Sequence, residues 1–316
     1  MKTLLTTDPD EAAKFIKHAG IVAFPTETVY GLGANVFDEP AVGKIFEAKQ
    51  RPADNPLIAH ISDVSLIAEL ASEITPNAQK LIEAFFPGPL TVVVKKTAKV
   101  PLAATAGIDT IGIRMPAFPL ANQFLNASGV PVVAPSANLS GRPSPTTWQA
   151  VAEDLDGRVD CILQGDATEI GLESTVVDCT DDVPLLLRMG SVSLMDLQRV
   201  APETRGADLL SSDLLRSPGL RHRHYSPRAR VKIIDPLANI SNFIYDGGRF
   251  GYIGLREPGG TFTAMKACSS VEGYARSVFE FFRECDRRSV DEIYCEAVEE
   301  TGIGAALMDR LRRAAE

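Results

Sequence analysis

The sequence predicts an α/β chain: a large sheet with helices packed on it, followed by a second, smaller α/β unit. Three observations carry that expectation. Short β-branched runs alternate with segments of helical periodicity. At 316 residues the chain exceeds what one core usually fills. A stretch from Arg216 to Lys232, RSPGLRHRHYSPRARVK, is dense in cations, free of acids and broken by prolines and a glycine, which marks a linker. The boundary is therefore drawn inside it, near Pro227, with residues 1–205 as the first domain, 206–230 as linker and 231–316 as the second domain.

The first domain opens with a helix over Pro9 to Ala19 and a strand over Ile21 to Phe24. Helix Pro40 to Ala48, strand Leu57 to Ile61 and helices Asp63 to Glu69 and Pro76 to Phe85 come next. Strands Leu90 to Lys95 and Ile111 to Arg114 precede helix Pro119 to Ala127, strand Pro131 to Ala134, helix Thr146 to Leu155 and strands Thr175 to Cys179 and Leu185 to Arg188. Several helices begin with proline in the first turn, where its missing N–H costs nothing. Beyond the linker, the pattern gives strands Val231 to Ile234, Phe250 to Leu255 and Glu292 to Cys295, with helices Val271 to Arg287 and Gly304 to Arg313. No internal repeat or low-complexity tract interrupts the pattern.

Composition narrows the function classes. Apolar residues at 45% and charged residues at 23% are globular values. The start, MKTLLTTDPDEAAKF, lacks the apolar core of a signal peptide and no run approaches a membrane-spanning length, so the expected location is cytoplasmic with no membrane contact. Five scattered cysteines without a C-x-x-C pair argue against a disulfide framework or a zinc site and are expected to be buried. A formal charge of −9 speaks against nonspecific nucleic-acid binding over the whole surface. The basic linker departs from that balance, either as an exposed tether or as a lid that brings cations and rings to an anionic ligand.

The most informative segment is AKQRPADNPLIAH, Ala48 to His60. Lys49 and Arg51 leave a helix end directly before Pro52, beside Asn55 and ahead of an apolar run ending in His60. Two cations so placed suit a nucleotide phosphate; they would equally complement a helix dipole. Other polar motifs also fall near strand ends: FPTETVYGLG (Phe24 to Gly33), PSANLSGRPSPT (Pro135 to Thr146), GLESTVVD (Gly171 to Asp178) and LLRMG (Leu186 to Gly190). Ligands of open sheets gather there. The expected cleft is rich in hydroxyls, amides and arginine, with few carboxylates. Its hydroxyls and Asn138 would cradle phosphate oxygens while Lys49, Arg51 and Arg188 neutralise them. Arg114, at a strand end, suits a bidentate grip on a carboxylate. No nucleophile elbow, Walker loop, GxGxxG or HExxH is present, so covalent, P-loop and zinc chemistries lose support together. Each residue alone has another reading: Ser136, Asn138 and Ser140 close turns, Thr26 and Thr28 cap a helix, His60 is structural.

Taken in order, PTETVYGLG, KQRPADNPLIAH, TIGIRMP, PSANLSGRPSPT, STVVD and SPGLRHRHYSP resemble the Sua5/YrdC/YciO family, in particular its two-domain Sua5 branch, the threonylcarbamoyl-AMP synthases. The resemblance implies a YrdC-like twisted mixed sheet with flanking helices, joined by the basic linker to a Rossmann-like Sua5 domain. It also implies a reaction: L-threonine, bicarbonate or CO2 and ATP give threonylcarbamoyl-AMP and pyrophosphate. A separate transferase complex then uses the product to make threonylcarbamoyladenosine at position 37 of tRNA. By motif, Thr28, His60, Arg114, Ala134 and Ser174 would face threonine. Arg51, Asn55, Thr110, Ser136, Ser144 and Arg188 would face ATP, joined by Lys49 and Asn138 on phosphate and Tyr225 from the linker, with Lys49 and Arg51 as the catalytic candidates. Mg²⁺ is expected on the ATP phosphates, with no protein ligand. One departure is Met189, where the family pattern leads us to expect proline. Two rival readings accompany the resemblance: an RNA-binding or ribosome-associated module with weak RNA affinity, and a carbamoyltransferase-related enzyme.

Overall fold

The computed structural model describes residues 2–53, 55–206, 225–238 and 248–315. Among them, eleven strands form one twisted mixed sheet. Their order is Leu4–Thr6, Cys161–Leu163, Val22–Phe24, Gly31–Asn35, Val132–Ala134, Ile58–His60, Thr110–Arg114, Leu90–Lys95, Thr175–Asp178, Leu185–Arg188 and Arg205–Gly206. Leu90 to Val94 are buried without alternation, as a strand covered on both faces requires. The larger core lies under helices Glu39–Lys49 and Pro76–Phe85; Phe24, Phe124 and Leu163 anchor another under Pro9–Lys17 and Pro119–Ser128.

The helix starts follow their local chemistry. Pro9, Pro40, Pro76 and Pro119 all sit in first turns, and the Asp8, Asp38 and Thr75 side chains accept from backbone N–H groups there. Two expectations shift. Thr147 is itself a cap, so that helix runs Trp148–Leu155. The helix expected over Asp63 to Glu69 divides into a 3₁₀ turn, Val64–Leu66, and a short α turn, Ile67–Leu70, because Asp63 bonds the Ser65 N–H at 2.8 Å. Thr26 and Thr28 cap no helix; they lie in the loop leading to strand Gly31–Asn35.

That strand is one of five absent from the sequence reading, with Leu4–Thr6, Cys161–Leu163, Arg205–Gly206 and Ala264–Ala267. In GLGAN the glycines serve close packing between strands. A Cβ on Gly33 would come within 2.5 Å of the Val132 side chain and 2.9 Å of the Phe24 ring. Gly33→Ala is therefore expected to destabilise the fold by about 1–3 kcal/mol through overpacking, read as a lower denaturant midpoint at unchanged slope.

The second unit carries a parallel sheet in the order Arg230–Ile234, Glu292–Glu296, Phe250–Gly254, Ala264–Ala267. Helices Val271–Arg287 and Ile303–Ala315 bury Val278, Phe279, Phe282, Leu307 and Leu311 in its core. All five cysteines are buried thiols. Arg205–Gly206 still pairs with Leu185–Leu186 of the large sheet, and Arg230 already pairs in the small one, so the cation-rich run to Lys232 ends in a strand rather than in linker. Residues 207–224, most of the expected linker, lie outside the described residues. Among the described residues no helix is long and apolar enough to cross a membrane.

Candidate active site

Strand register gathers the polar motifs. His60 pairs with Arg114 on one side and Val132 on the other; Ala134 ends the strand beside Ile58, and Arg188 pairs with Val176. A cavity opens where these strands end, the place where ligands of open sheets gather. Thr28, Arg51, His60, Arg114, Ala134, Ser136, Asn138, Ser144, Ser174, Arg188 and Tyr225 all line it. Lys49, Asn55 and Thr110 do not.

At one end Arg114 is held by three groups. Its Nε donates to the Gly88 carbonyl at 3.3 Å, its Nη1 donates to Thr28 Oγ1 at 2.8 Å, and its Nη2 lies 2.7 Å from the Glu27 carboxylate. A guanidinium has five N–H donors, so each terminal nitrogen keeps one for a carboxylate ligand. Glu27 is buried and has no hydrogen-bond partner among the described residues beyond that ion pair. His60 stands edge-on to Phe24 at 5.7 Å, and its Nδ1 donates to the Ile58 carbonyl at 3.1 Å. Burial, reinforced by the Arg114 charge, lowers its pKa to about 3 and keeps the ring neutral.

The loop cations divide. Gln50 adopts φ 52°, turning the chain between helix Glu39–Lys49 and Arg51. Lys49 points inward: its ammonium donates to the Ser136 carbonyl at 2.5 Å and to the Asn138 carbonyl, and burial, followed by Arg51, pushes its pKa well down. Lys49 thus braces the Ser136 to Asn138 loop, while Arg51 reaches the cavity and donates to the Asn55 carbonyl at 3.3 Å. Asn138 closes its turn, donating to the Leu139 and Arg142 carbonyls, and also lines the cavity. Thr110 begins the strand that Arg114 ends, and its hydroxyl is buried without a hydrogen-bond partner among the described residues.

At the other end, Arg188 donates to the Ser174 carbonyl at 3.0 Å and to its hydroxyl at 3.1 Å. Ser174 also shares a 2.8 Å bond with Thr91. Tyr225 takes φ 65°, and the next residue donates its N–H to the Gly141 carbonyl, fixing the linker's end against the cavity loop. Glu173 lines this end too, an acidic group that the expectation of few carboxylates passed over. Both Glu27 and Glu173 stand inside quoted motifs, PTETVYGLG and GLESTVVD; an acid set among hydroxyls and apolar residues was the available signal.

Residues 14–190 match the Sua5, YciO and YrdC family model described as "Telomere recombination", and residues 192–316 match "Threonylcarbamoyl-AMP synthase, C-terminal domain". The chain belongs to the Sua5 family. It is 45% identical to the threonylcarbamoyl-AMP synthase of Pyrococcus abyssi, over 96% of this chain and 92% of that one. Identity to the Bacillus subtilis enzyme of the same name is 42%, over 99% and 94%. A crystal structure of P. abyssi Sua5 complexed with L-threonine superposes with a TM-score of 0.92 at 42% identity, covering 99% of this chain and 97% of that one.

Proposed function

We propose that this chain is a threonylcarbamoyl-AMP synthase, joining L-threonine, bicarbonate or CO2 and ATP with release of pyrophosphate. The observation that carries the reading is the convergence of Arg51, Arg114, Ser136 and Arg188, far apart in sequence, on one cavity. Its Arg114 end, with Thr28, His60 and Ala134, takes threonine, and Ser174 faces the same substrate from the Arg188 side: Arg114 grips the carboxylate, and the neutral His60 adds no charge beside the amino group. Arg51, Ser136, Asn138, Ser144, Arg188 and Tyr225 take ATP. The neutral threonine amine adds to CO2 with release of a proton, or to bicarbonate with release of water; the carbamate oxygen so formed attacks the α-phosphorus, and pyrophosphate leaves. Such transfers depend on positioning and charge neutralisation, which this lining supplies without a covalent intermediate. Lys49 contributes from behind, holding the Ser136 to Asn138 loop.

ATP enters as its Mg²⁺ complex on this reading, the ion offsetting phosphate charge. Among the described residues no His, Cys, Asp and Glu cluster offers a metal cage, and the cavity's hydroxyl and amide oxygens fit a hard cation retained by phosphates. The reading carries with it a cytoplasmic setting and a downstream transferase complex that consumes the mixed anhydride on tRNA. Incubating the protein with ATP, Mg²⁺, bicarbonate and threonine is expected to yield threonylcarbamoyl-AMP by mass spectrometry, dependent on all three substrates. Retention of tRNA on filters with no pyrophosphate release would instead identify an RNA-binding module.

A further inference from the structure

The smaller domain touches the cavity through two helices. From Ile303–Ala315, Arg310 donates through Nε to Glu173 Oε2 at 2.9 Å and through Nη2 to the Met189 carbonyl at 2.9 Å, with its guanidinium carbon 5.4 Å from the Tyr225 ring centre. From Val271–Arg287, Phe279 stacks on Tyr225 at 5.3 Å and 17°. The other oxygen of Glu173 accepts the Ser144 hydroxyl at 2.6 Å. Arg310 is almost wholly buried, its side chain 1% exposed. A carboxylate lining a cavity meant for a triphosphate needs a compensating cation, and Arg310 is in direct contact with it. Burial opposes ionisation of Glu173, but Arg310, Arg188 and the Ser144 bond outweigh it and hold its pKa below the ordinary value. Burial likewise opposes the Arg310 charge, and the Glu173 and Asp309 carboxylates in contact with it offset that cost. Arg310 also grips the backbone just after Arg188. There Met189 replaces the expected proline, and a Cβ on Gly190 would lie 2.3 Å from the Thr175 nitrogen.

We propose that Arg310 is a positioning residue through which the smaller domain completes the nucleotide end of the cavity: it neutralises Glu173, keeps that carboxylate on the Ser144 hydroxyl, and seats the Tyr225 ring. This inference rests on the synthase reading and adds to it a role for the second domain. Without Arg310, the Glu173 charge faces the phosphates directly, while the threonine end, built by Arg114, His60 and Glu27, is untouched.

The test uses the full chain and steady-state pyrophosphate release, with KM measured separately for ATP and threonine. Arg310→Met is expected to raise KM for ATP about tenfold or more, the effect of unpairing a buried carboxylate, and to leave KM for threonine unchanged. Adding Glu173→Gln, which removes the exposed charge but keeps an acceptor for Ser144, is expected to bring KM for ATP back to within about threefold of wild type. This double variant is also readable if Arg310→Met alone does not fold, since it buries no unpaired carboxylate. Wild-type KM for ATP in Arg310→Met overturns the inference. So does a folded double variant that binds threonine normally yet has no recovered ATP affinity, and so does an equal loss of both substrates in Arg310→Met. A wild-type chain that binds neither substrate overturns the synthase reading along with it.

Discussion

Arg114→Ala is expected to abolish threonine-dependent pyrophosphate release. The guanidinium stands among Thr28, Gly88 and Glu27, and all three hold it in place. Truncation removes the carboxylate grip and strands Glu27, which is 3% exposed, as a buried charge without its partner. Loss of one member of such a pair costs roughly 2–5 kcal/mol in binding, and stability falls by a similar amount. The two effects separate in the double variant with Glu27→Gln: stability is expected to recover while threonine turnover stays absent. Turnover near the wild-type rate in Arg114→Ala would show that the acid end of the substrate lies elsewhere.

The second large effect is expected where the two domains lock. Asp154 accepts from Arg283 at 3.1 and 2.8 Å, from Arg142 at 2.5 Å and from the Leu139 N–H at 3.1 Å, and Arg283 also donates to the Pro143 carbonyl at 2.6 Å. These bonds tie the loop bearing Asn138 and Ser144 to helix Val271–Arg287. Arg283→Ala is expected to lose about 3–5 kcal/mol of stability, as breaking a buried pair does. The effect depends on pH. Burial opposes ionisation of Asp154, yet Arg283 and Arg142 outweigh it, so the folded pKa lies below the unfolded one. The stabilisation is therefore full above the unfolded value of about 3.9 and fades as pH falls through the lowered folded value. Urea titrations of wild type and variant should thus diverge at neutral pH and converge in acid. A gap independent of pH would assign the loss to packing alone.

Elements with strong, uninterrupted signals were legible in the sequence. Leu90–Lys95, Pro76–Phe85 and Val271–Arg287 have the bounds that a β-branched run, first-turn proline and helical periodicity predict, and Leu185–Arg188 has those of a plain apolar run. The missed strands are short or lack β-branched residues. GLGAN and AMKA carry none, and Leu4–Thr6 and Cys161–Leu163 are three residues each, too short for a period to declare itself. Most of the candidate site was legible because its side chains sit at strand ends, where motif and geometry coincide. Lys49 shows the limit. Spacing places a cation beside Arg51, but the left-handed turn at Gln50 decides that one faces the cavity and the other the carbonyls behind it. Pairings such as Glu27 with Arg114 and Glu173 with Arg310 join residues 87 and 137 positions apart, a separation that no local pattern records.

The sheet order also constrains how the nascent chain must fold. Among the described residues Leu4–Thr6 pairs only with Cys161–Leu163, which also completes the outer side of Val22–Phe24. During synthesis the amino-terminal strand therefore waits for more than half the polypeptide to emerge, and Val22–Phe24 meanwhile presents an unpaired apolar edge. Such edges recruit foreign strands. Efficient production of this protein thus depends on shielding that edge until residue 163 has emerged.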